Sequence, residues 1–319
     1  MTRLLAFLCA LGASFIAAAQ PYPSRPVKII VPFGPGGTAD TLGRLVAGKL
    51  SEQLKESFVV ENRGGAGGVV GSELVAKAPP DGYTLVVSGI ASHVIAPHLP
   101  RGTPYDPMKD FTHIALFGGP PAVVAVNPNV PAKTLKELVG LAKDKPGKLT
   151  YGSPGPGTQG QLVMELFKRE AGIDVLHVPY KGAAAAVTDL MGGQVDSVST
   201  TLSTASGQIK SGRARALALS SGARLPDYPD IPTFVEQGFP NIVGTVWFSL
   251  SGPAGLPAEI VNKLNAEVRR ALETSEVREK LRHEGITPNR LDAKEFNAFV
   301  ADEIRRWGPI VRTSGAKKD

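Results

Sequence analysis

The sequence predicts an α/β protein of two doubly wound lobes with a ligand cleft between them. Short, continuously apolar segments alternate with segments of helical spacing, and the alternation begins anew near the middle of the chain. Apolar runs separated by helices are typical of parallel strands that are buried on both faces of a sheet. The length of 319 residues is enough for two cores of ordinary domain size.

The first set of elements precedes residue 128. Helices with apolar residues at helical spacing are expected over 38–55 and 69–78. The strands of this set are predicted at 27–31, 58–61, 84–88, 113–117 and 122–127.

The second set follows the same pattern and ends in three helices. Its strands are predicted at 148–153, 174–178, 195–199 and 214–220, with a late strand at 244–252. Its helices are predicted at 134–144, 158–171, 183–191, 202–211, 257–273, 275–284 and 293–313.

The predicted domain boundaries follow from this order of elements. We expect lobe 1 to begin with 20–121, lobe 2 to comprise 122–225, and 226–319 to return to lobe 1. Hinges are expected near 118–122 and 225–245.

Residues 1–19 are predicted to be a secretory signal peptide. Arg3 precedes the apolar stretch 4–16, and the three alanines 17–19 provide a small-residue cleavage site. A lipoprotein anchor at Cys9 is disfavoured, because no small residue directly precedes this cysteine. We therefore expect the protein to be exported.

Composition excludes several functional classes. Cys9 is the one cysteine of the chain, so no disulfide framework, thiolate zinc site or iron–sulfur cluster is expected. The net charge of +6 comes from scattered residues and aromatic residues are 6%, which disfavours nucleic acid as a partner. The sequence contains no G-x-S-x-G, H-E-x-x-H or P-loop motif, and its histidines lack metal-ligand spacing. We predict no catalytic residue, no metal site and no cofactor.

Two strand-to-helix junctions share glycine, proline and hydroxyl residues, at 32–38 and 152–158. Glycines let backbone N–H groups approach a ligand, and a helix N-terminus adds partial positive charge. Thr38, Ser153 and Thr158 add hydroxyl groups. These junctions therefore predict an anion site that needs no arginine or lysine.

The first loop also fits a different kind of site. Gly34-x-Gly36-x-x-Ala39, with Glu61 after the next strand, formally fits a dinucleotide fingerprint, but Pro35 removes an N–H donor and export removes the nicotinamide pool. Elsewhere, Lys181 could bind a carboxylate, and His93 is the best pocket candidate among the histidines.

At this level of detail the chain resembles the Bug-type periplasmic solute-binding proteins of tripartite tricarboxylate transporters, along nearly its whole length. The matching stretches are Tyr22-Pro23-x-Arg25-Pro26-Val27, VPFGPGGTAD (31–40), ENRGGAGG (61–68), PDGYTL (80–85), YDPMKDF (105–111), NPNVPAKTLKEL (127–138), HVPYKG (177–182), DLMGGQVD (189–196) and WFSLSGPAGLP (247–257). The resemblance implies a Venus-flytrap fold that closes over an organic carboxylate held by backbone N–H groups, hydroxyls and waters.

The resemblance also implies which residues contact the ligand. In lobe 1 and lobe 2 these positions are Phe33, Gly36, Gly37, Thr38, Asp40, Ser88, His93, Ser153, Gly157 and Thr158. The sequence departs from the family pattern at Gly64, at Ala96 and at Thr200-Thr201, where the family often has Asp-Asn. The loss of this acid disfavours an amine-bearing ligand, and places the hydroxyl of Thr200 at the far end of the site for a neutral polar group or a second carboxylate.

The sequence thus predicts a monomeric periplasmic protein that binds a di-, tri- or aromatic carboxylate and delivers it to membrane permease subunits. Two alternatives stay open at this point. The chain could be an exported enzyme acting on a small carboxylate, or a ligand sensor feeding a membrane kinase.

Overall fold

The computed structural model describes residues 22–314 and 316. The signal-peptide prediction for 1–19 lies outside these residues. In the described part of the chain, no helix is both long enough and apolar enough to cross a membrane.

The first sheet has five strands in the order β2-β1-β3-β10-β4. Strand β1 pairs in parallel with β2 and β3, whereas β10 lies antiparallel between β3 and β4. The strands are β1 (Val27–Val31), β2 (Phe58–Asn62), β3 (Thr84–Gly89), β4 (Phe111–Gly118) and β10 (Phe248–Pro253).

The second sheet has five strands in the order β7-β6-β8-β5-β9. Strand β6 pairs in parallel with β7 and β8, and β5 pairs antiparallel with β8 and β9. The strands are β5 (Ala122–Val126), β6 (Thr150–Ser153), β7 (Leu176–Pro179), β8 (Ser197–Thr201) and β9 (Arg215–Leu219).

Helices cover both sheets, and the last three pack on the first lobe. Helices α7 and α9 contact β4, and the Asn265 side chain of α7 donates a hydrogen bond to the Ile114 carbonyl at 2.8 Å. The helices are α1 (Thr38–Leu54), α2 (Val69–Ala76), α3 (Leu135–Asp144), α4 (Gln159–Ala171), α5 (Ala183–Met191), α6 (Leu202–Lys210), α7 (Ala258–Glu273), α8 (Ser275–His283) and α9 (Ala293–Thr313).

The fold class and the order of elements confirm the sequence-based prediction. Each predicted strand and helix is present, with ends displaced by a few residues. A π-helical turn at Ala91–Ile95 and a 3₁₀ turn at Ala96–His98 were not predicted. They lie in a short apolar segment that ends at Pro97 and is too brief for helical periodicity to be visible.

Strand order locates the site. The chain runs from β1 to β2 on one side and then to β3 on the other, and β6 has the same relation to β7 and β8. Ligands of doubly wound sheets bind beyond the carboxyl ends of strands at such switch points. The loops that follow β1 and β6 therefore occupy the favoured position in each lobe.

Candidate functional site

A cavity of about 50 Å³ lies between the two loops. Its wall is mostly apolar, with aromatic side chains from both the first loop and the segment leading into β10. The lining residues are Phe33, Gly37, Thr38, Ala39, Gly89, Ile90, Ala91, Ser92, Pro154, Thr158, Gln159, Gly160, Ala183, Thr201, Val246, Trp247 and Phe248.

The lobe 1 loop is stabilised by the carboxylate of Asp40, which accepts a hydrogen bond from the loop backbone. The buried Asp40 side chain accepts hydrogen bonds from the Gly36 N–H at 3.0 Å and from the Asn62 amide at 2.9 Å. Arg44, one turn later on α1, forms an ion pair with Asp40 at 3.0 Å. Burial alone would raise the pKa of the Asp40 carboxyl, but these bonds outweigh burial and lower that pKa below its ordinary value. Asp40 thus fixes the loop rather than facing the cavity.

Thr38 joins the two lobes through a cluster of hydroxyls. Its Oγ1 lies 2.7 Å from Thr201 Oγ1, 2.5 Å from Ser203 Oγ and 3.0 Å from Thr204 Oγ1. The Thr38 backbone N–H also donates to Thr204 Oγ1 at 3.1 Å. These four residues, here called the inter-lobe hydroxyl cluster, connect the beginning of α1 to the beginning of α6.

The lobe 2 loop is stabilised by hydrogen bonds among its own residues and the first turn of α4. The Thr158 hydroxyl donates to the Gly155 carbonyl at 2.7 Å and accepts the Gln161 N–H as the N-cap of α4. The Gly157 N–H donates to Gln161 Oε1 at 2.8 Å. Ser153 Oγ accepts the Gly155 N–H at 3.1 Å and lies 2.7 Å from His177 Nε2. Ser153 and Gly157 therefore shape the loop, whereas Thr158 also reaches the cavity wall.

Two helix N-termini from different lobes converge on this cavity. Gly37 and Thr38 begin α1, and Thr158, Gln159 and Gly160 begin α4. The first N–H groups of a helix have no carbonyl partner within it, and the helix dipole places about half a positive charge there. The arrangement can therefore bind an anion such as a carboxylate without a charged side chain.

The lobes are in direct contact around the cavity. The Gly34 N–H donates to the Lys181 carbonyl at 3.0 Å. A Cβ on Gly67 would lie 1.9 Å from the Pro156 carbonyl oxygen, so this approach of the two backbones requires glycine. The structure is thus a closed form of the cleft.

Gln159 is a lining residue that the sequence reasoning missed. Its side chain is 1% exposed, and neither amide atom has a hydrogen-bond partner. No motif indicated it, because the position directly after the N-cap Thr158 tolerates most residue types. A signal was nevertheless present, since this position opens a helix at a predicted switch point.

His93 and Ser88 lie behind the wall rather than on it. The His93 ring is buried between Tyr105, Phe111 and His113, and its Nδ1 lies 2.9 Å from the hydroxyl of the lining residue Ser92. Burial, together with the neighbouring His113, holds the pKa of His93 well below its ordinary value, so the ring is neutral at pH 7. Ser88 Oγ lies 2.7 Å from Ser249 Oγ and 2.6 Å from Ser251 Oγ within the first sheet.

Lys181 and Thr200 are also near the cleft but do not line the cavity. The Lys181 side chain is exposed, and it is the carbonyl of this residue that contacts lobe 1. The Thr200 side chain is buried with its hydroxyl unpaired, whereas the next residue, Thr201, lies on the wall. Phe33, Gly37, Thr38 and Thr158 are the predicted site residues that line the cavity, and Gly36 supports the first loop with a φ of +80°.

Trp247 forms part of the wall and is held from behind by the last helix. Its indole N–H donates to Glu303 Oε2 at 2.9 Å, and the indole of Trp307 donates to the same oxygen at 3.1 Å. Among the residues that the structure describes, no group of three or more His, Cys, Asp or Glu side chains is arranged to hold a metal ion.

Comparison with known proteins identifies the family. Residues 42–316 match the family model described as "Tripartite tricarboxylate transporter family receptor". The curated protein BugT of Bordetella pertussis is 36% identical over 322 aligned residues, which cover 99% of each chain.

Solved structures of similar proteins indicate the same family. The R. palustris protein Rpa4515, solved with adipate, is 35% identical with a TM-score of 0.89, covering 93% of this chain and 99% of its own. MatC from Rhodopseudomonas palustris, solved with bound malate, is 33% identical with a TM-score of 0.87, covering 91% of this chain and 100% of its own. The two-lobed fold, the cleft and these matches together show that the chain belongs to the TctC/Bug family of periplasmic solute-binding proteins, a family of receptors and not of enzymes.

Proposed function

We propose that this chain binds a small organic carboxylate in the cleft and delivers it to the membrane permease subunits of a tripartite tricarboxylate transporter. The observation that carries the proposal is the convergence of the α1 and α4 N-termini, one from each lobe, on a single cavity. Two helix N-termini that face each other from different lobes can contact one anion together only when the lobes close. Binding and closure are therefore coupled.

The energetics require several donors at once. Micromolar affinity corresponds to about 8 kcal/mol. A hydrogen bond to a charged group contributes about 1.5–3 kcal/mol net, so about three to five such bonds with apolar burial are sufficient. Phe33 and Trp247 supply apolar surface beside the helix ends.

Admission of the ligand requires the lobes to part. The cavity of about 50 Å³ is smaller than the ~150 Å³ of a cavity that accepts benzene. We place the hinge movement in the two segments that connect the sheets, residues 119–121 between β4 and β5 and residues 220–247 between β9 and β10. This assignment keeps the predicted division into 20–121, 122–225 and 226–319.

The relatives support a carboxylate as ligand and the periplasm as the site of action. Adipate and malate in the related structures are both dicarboxylates. The family description names a receptor of a tripartite transporter, which supports permease subunits as the partner. We propose that residues 1–19 direct export.

The test is a thermal-shift panel on protein that has been unfolded, washed free of carried ligand and refolded. The panel contains dicarboxylates, tricarboxylates and aromatic acids, with the neutral diamides of adipate and malate as matched controls. At 100 times the dissociation constant, binding adds about 2.7 kcal/mol to stability and raises Tm by several degrees. At least one acid should raise Tm and the diamides should not. No response to any carboxylic acid, either of this panel or of the titration series described below, or an equal response to the diamides, would contradict the proposal.

A further inference from the structure

The cavity wall contains one polar side chain whose hydrogen-bonding capacity is unused. Thr38 and Thr201 are bonded within the inter-lobe hydroxyl cluster, and Thr158 is bonded within its own loop. Ser92 Oγ pairs with the His93 ring, and the Trp247 indole donates to Glu303. Of the buried side-chain atoms without a partner in the described part of the chain, those that belong to a lining residue are Nε2 and Oε1 of Gln159.

No protein group around this amide pairs with it. The side chain is 1% exposed, so solvent outside the protein does not reach it. Gly244 lies beside the amide, since a Cβ on this glycine would come within 2.7 Å of Nε2. The main-chain groups of Gly244 are already used, because its N–H donates to the Ser220 carbonyl and its carbonyl accepts the Ser220 hydroxyl.

The unused amide has one donor side and one acceptor side. A second carboxylate on the ligand could accept from Nε2, but it has no proton for Oε1 and would repel that oxygen. A primary amide offers both groups in the same spacing and forms two parallel hydrogen bonds with Gln159. A hydroxyl can donate to Oε1 or accept from Nε2.

The charge of the wall favours the same class of ligand. None of the described residues that line the cavity is Lys, Arg, Asp, Glu or His. A first carboxylate has the two helix N-termini, but a second one would find no cation on the wall. A neutral second group avoids this cost of burying an unpaired charge.

We propose that the ligand carries, besides its carboxylate, a neutral group that donates and accepts hydrogen bonds, a primary amide or a hydroxyl, and that Gln159 binds this group. The inference rests on the proposed function, since it takes carboxylate binding in the cleft as given. It makes Gln159 a specificity-determining residue that separates this ligand class from simple dicarboxylates.

The experiment is a calorimetric titration with two matched series of acids. The parents are butyrate and hexanoate, and each series adds the 2-hydroxy acid, the terminal hydroxy acid, the terminal amide (succinamate or adipamate) and the dicarboxylate (succinate or adipate). In the wild-type protein, the best amide or hydroxy acid should bind about tenfold more tightly than its parent acid and than its dicarboxylate. Both the parent acid and the dicarboxylate would leave part of the buried Gln159 amide unpaired.

Two variants test whether Gln159 causes this preference. In Gln159→Leu the ratio between the best neutral derivative and its parent should fall to about one, because leucine offers neither donor nor acceptor. Gln194→Leu is the matched control on the exposed surface of lobe 2, and it should keep the wild-type ratio.

The outcomes separate this inference from the proposed function. If succinate, adipate or a parent acid binds most tightly, or if Gln159→Leu keeps the full preference, the inference is overturned while carboxylate binding stands. If no acid of either series or of the thermal-shift panel binds, the proposed function fails and this inference with it. Should Gln159→Leu not fold in a urea titration, the wild-type ranking alone decides.

Discussion

The two glycine-rich loops have nearly the same composition and the same place at a switch point, yet their polar groups are used differently. In lobe 1 the Thr38 hydroxyl crosses the cleft to Thr201, Ser203 and Thr204. In lobe 2 the Thr158 hydroxyl bonds within its own loop, to Gly155 and Gln161. The first loop therefore contributes to closure, and the second is a preformed wall.

The helix starts show the same contrast. Helix α1 begins at Gly37 with no side-chain cap, and a carboxylate four residues after Gly36 stabilises the loop instead. Helix α4 has Thr158 as a side-chain cap, with Gln161 bonded to Gly157. Similar sequences thus produce one loop that depends on an ionised group and one that depends on neutral hydrogen bonds.

The largest expected effect is a difference in stability between alanine substitutions at two glycines on the cavity wall, Gly160 and Gly37. A Cβ on Gly160 would lie 2.2 Å from the Ser199 carbonyl oxygen, a backbone atom that cannot move freely. A Cβ on Gly37 would meet Ala183 at 3.7 Å, an ordinary contact. We expect Gly160→Ala to lower the free energy of unfolding by about 3 kcal/mol, the upper range for overpacking. Gly37→Ala should change it by less than about 1 kcal/mol.

Urea unfolding of both variants at pH 7 measures these differences. Equal losses in the two variants would show that the second loop is no more tightly packed than the first, and would remove this part of the contrast.

A smaller effect should appear at Asp40 and depend on pH. Asp40→Asn removes the ionised acceptor of the lobe 1 loop and should cost about 2 kcal/mol at pH 7, as expected for hydrogen bonds to a charged group. Because the folded pKa of Asp40 is lowered, its contribution is complete above the unfolded pKa of about 3.9 and is lost as pH falls through the folded pKa.

The difference in unfolding free energy between wild type and Asp40→Asn should therefore stay constant between pH 7 and about 5, and shrink as pH falls below the unfolded pKa of about 3.9. The same urea titrations at several pH values measure it, and Gly37→Ala serves as a control at a position without charge. A difference that stays constant even at pH values below about 3.9 would mean that ionisation of Asp40 does not stabilise the loop.

Much of the fold was predictable because its signals are local. Apolar runs such as 27–31 and 122–127 became buried strands, and the switch points after β1 and β6 followed from the alternation of strands and helices. The turn at 91–98 was not predictable, because its irregular helical form depends on packing against α9 and β3.

The site was predictable to the level of loops but less so for single side chains. Phe33, Gly37, Thr38 and Thr158 reach the wall because strand ends and helix starts fix them. The positions of Asp40, His93 and Lys181 depended on partners that are distant in the sequence. These partners are Asn62 for Asp40, the Phe111 ring for His93 and the Gly34 backbone for Lys181. Gln159 could not be predicted, because its unpaired amide is apparent only from the three-dimensional hydrogen-bond pattern around the cavity.

The measurement that tests the central claim most directly introduces a charge at each helix start in turn. Gly37→Asp and Thr158→Asp place a carboxylate at the N-caps of α1 and α4, and Gly37→Asn and Thr158→Asn are neutral matches that cap a helix equally well. The tightest-binding acid of the thermal-shift panel is titrated calorimetrically into all four variants.

If one carboxylate is held between both helix starts, each Asp variant should bind it at least about tenfold more weakly than its Asn match, because like charges about 5 Å apart repel by about 3 kcal/mol at an effective dielectric constant of ~20. Equal affinity within either Asp and Asn pair would contradict binding of the carboxylate between the two lobes.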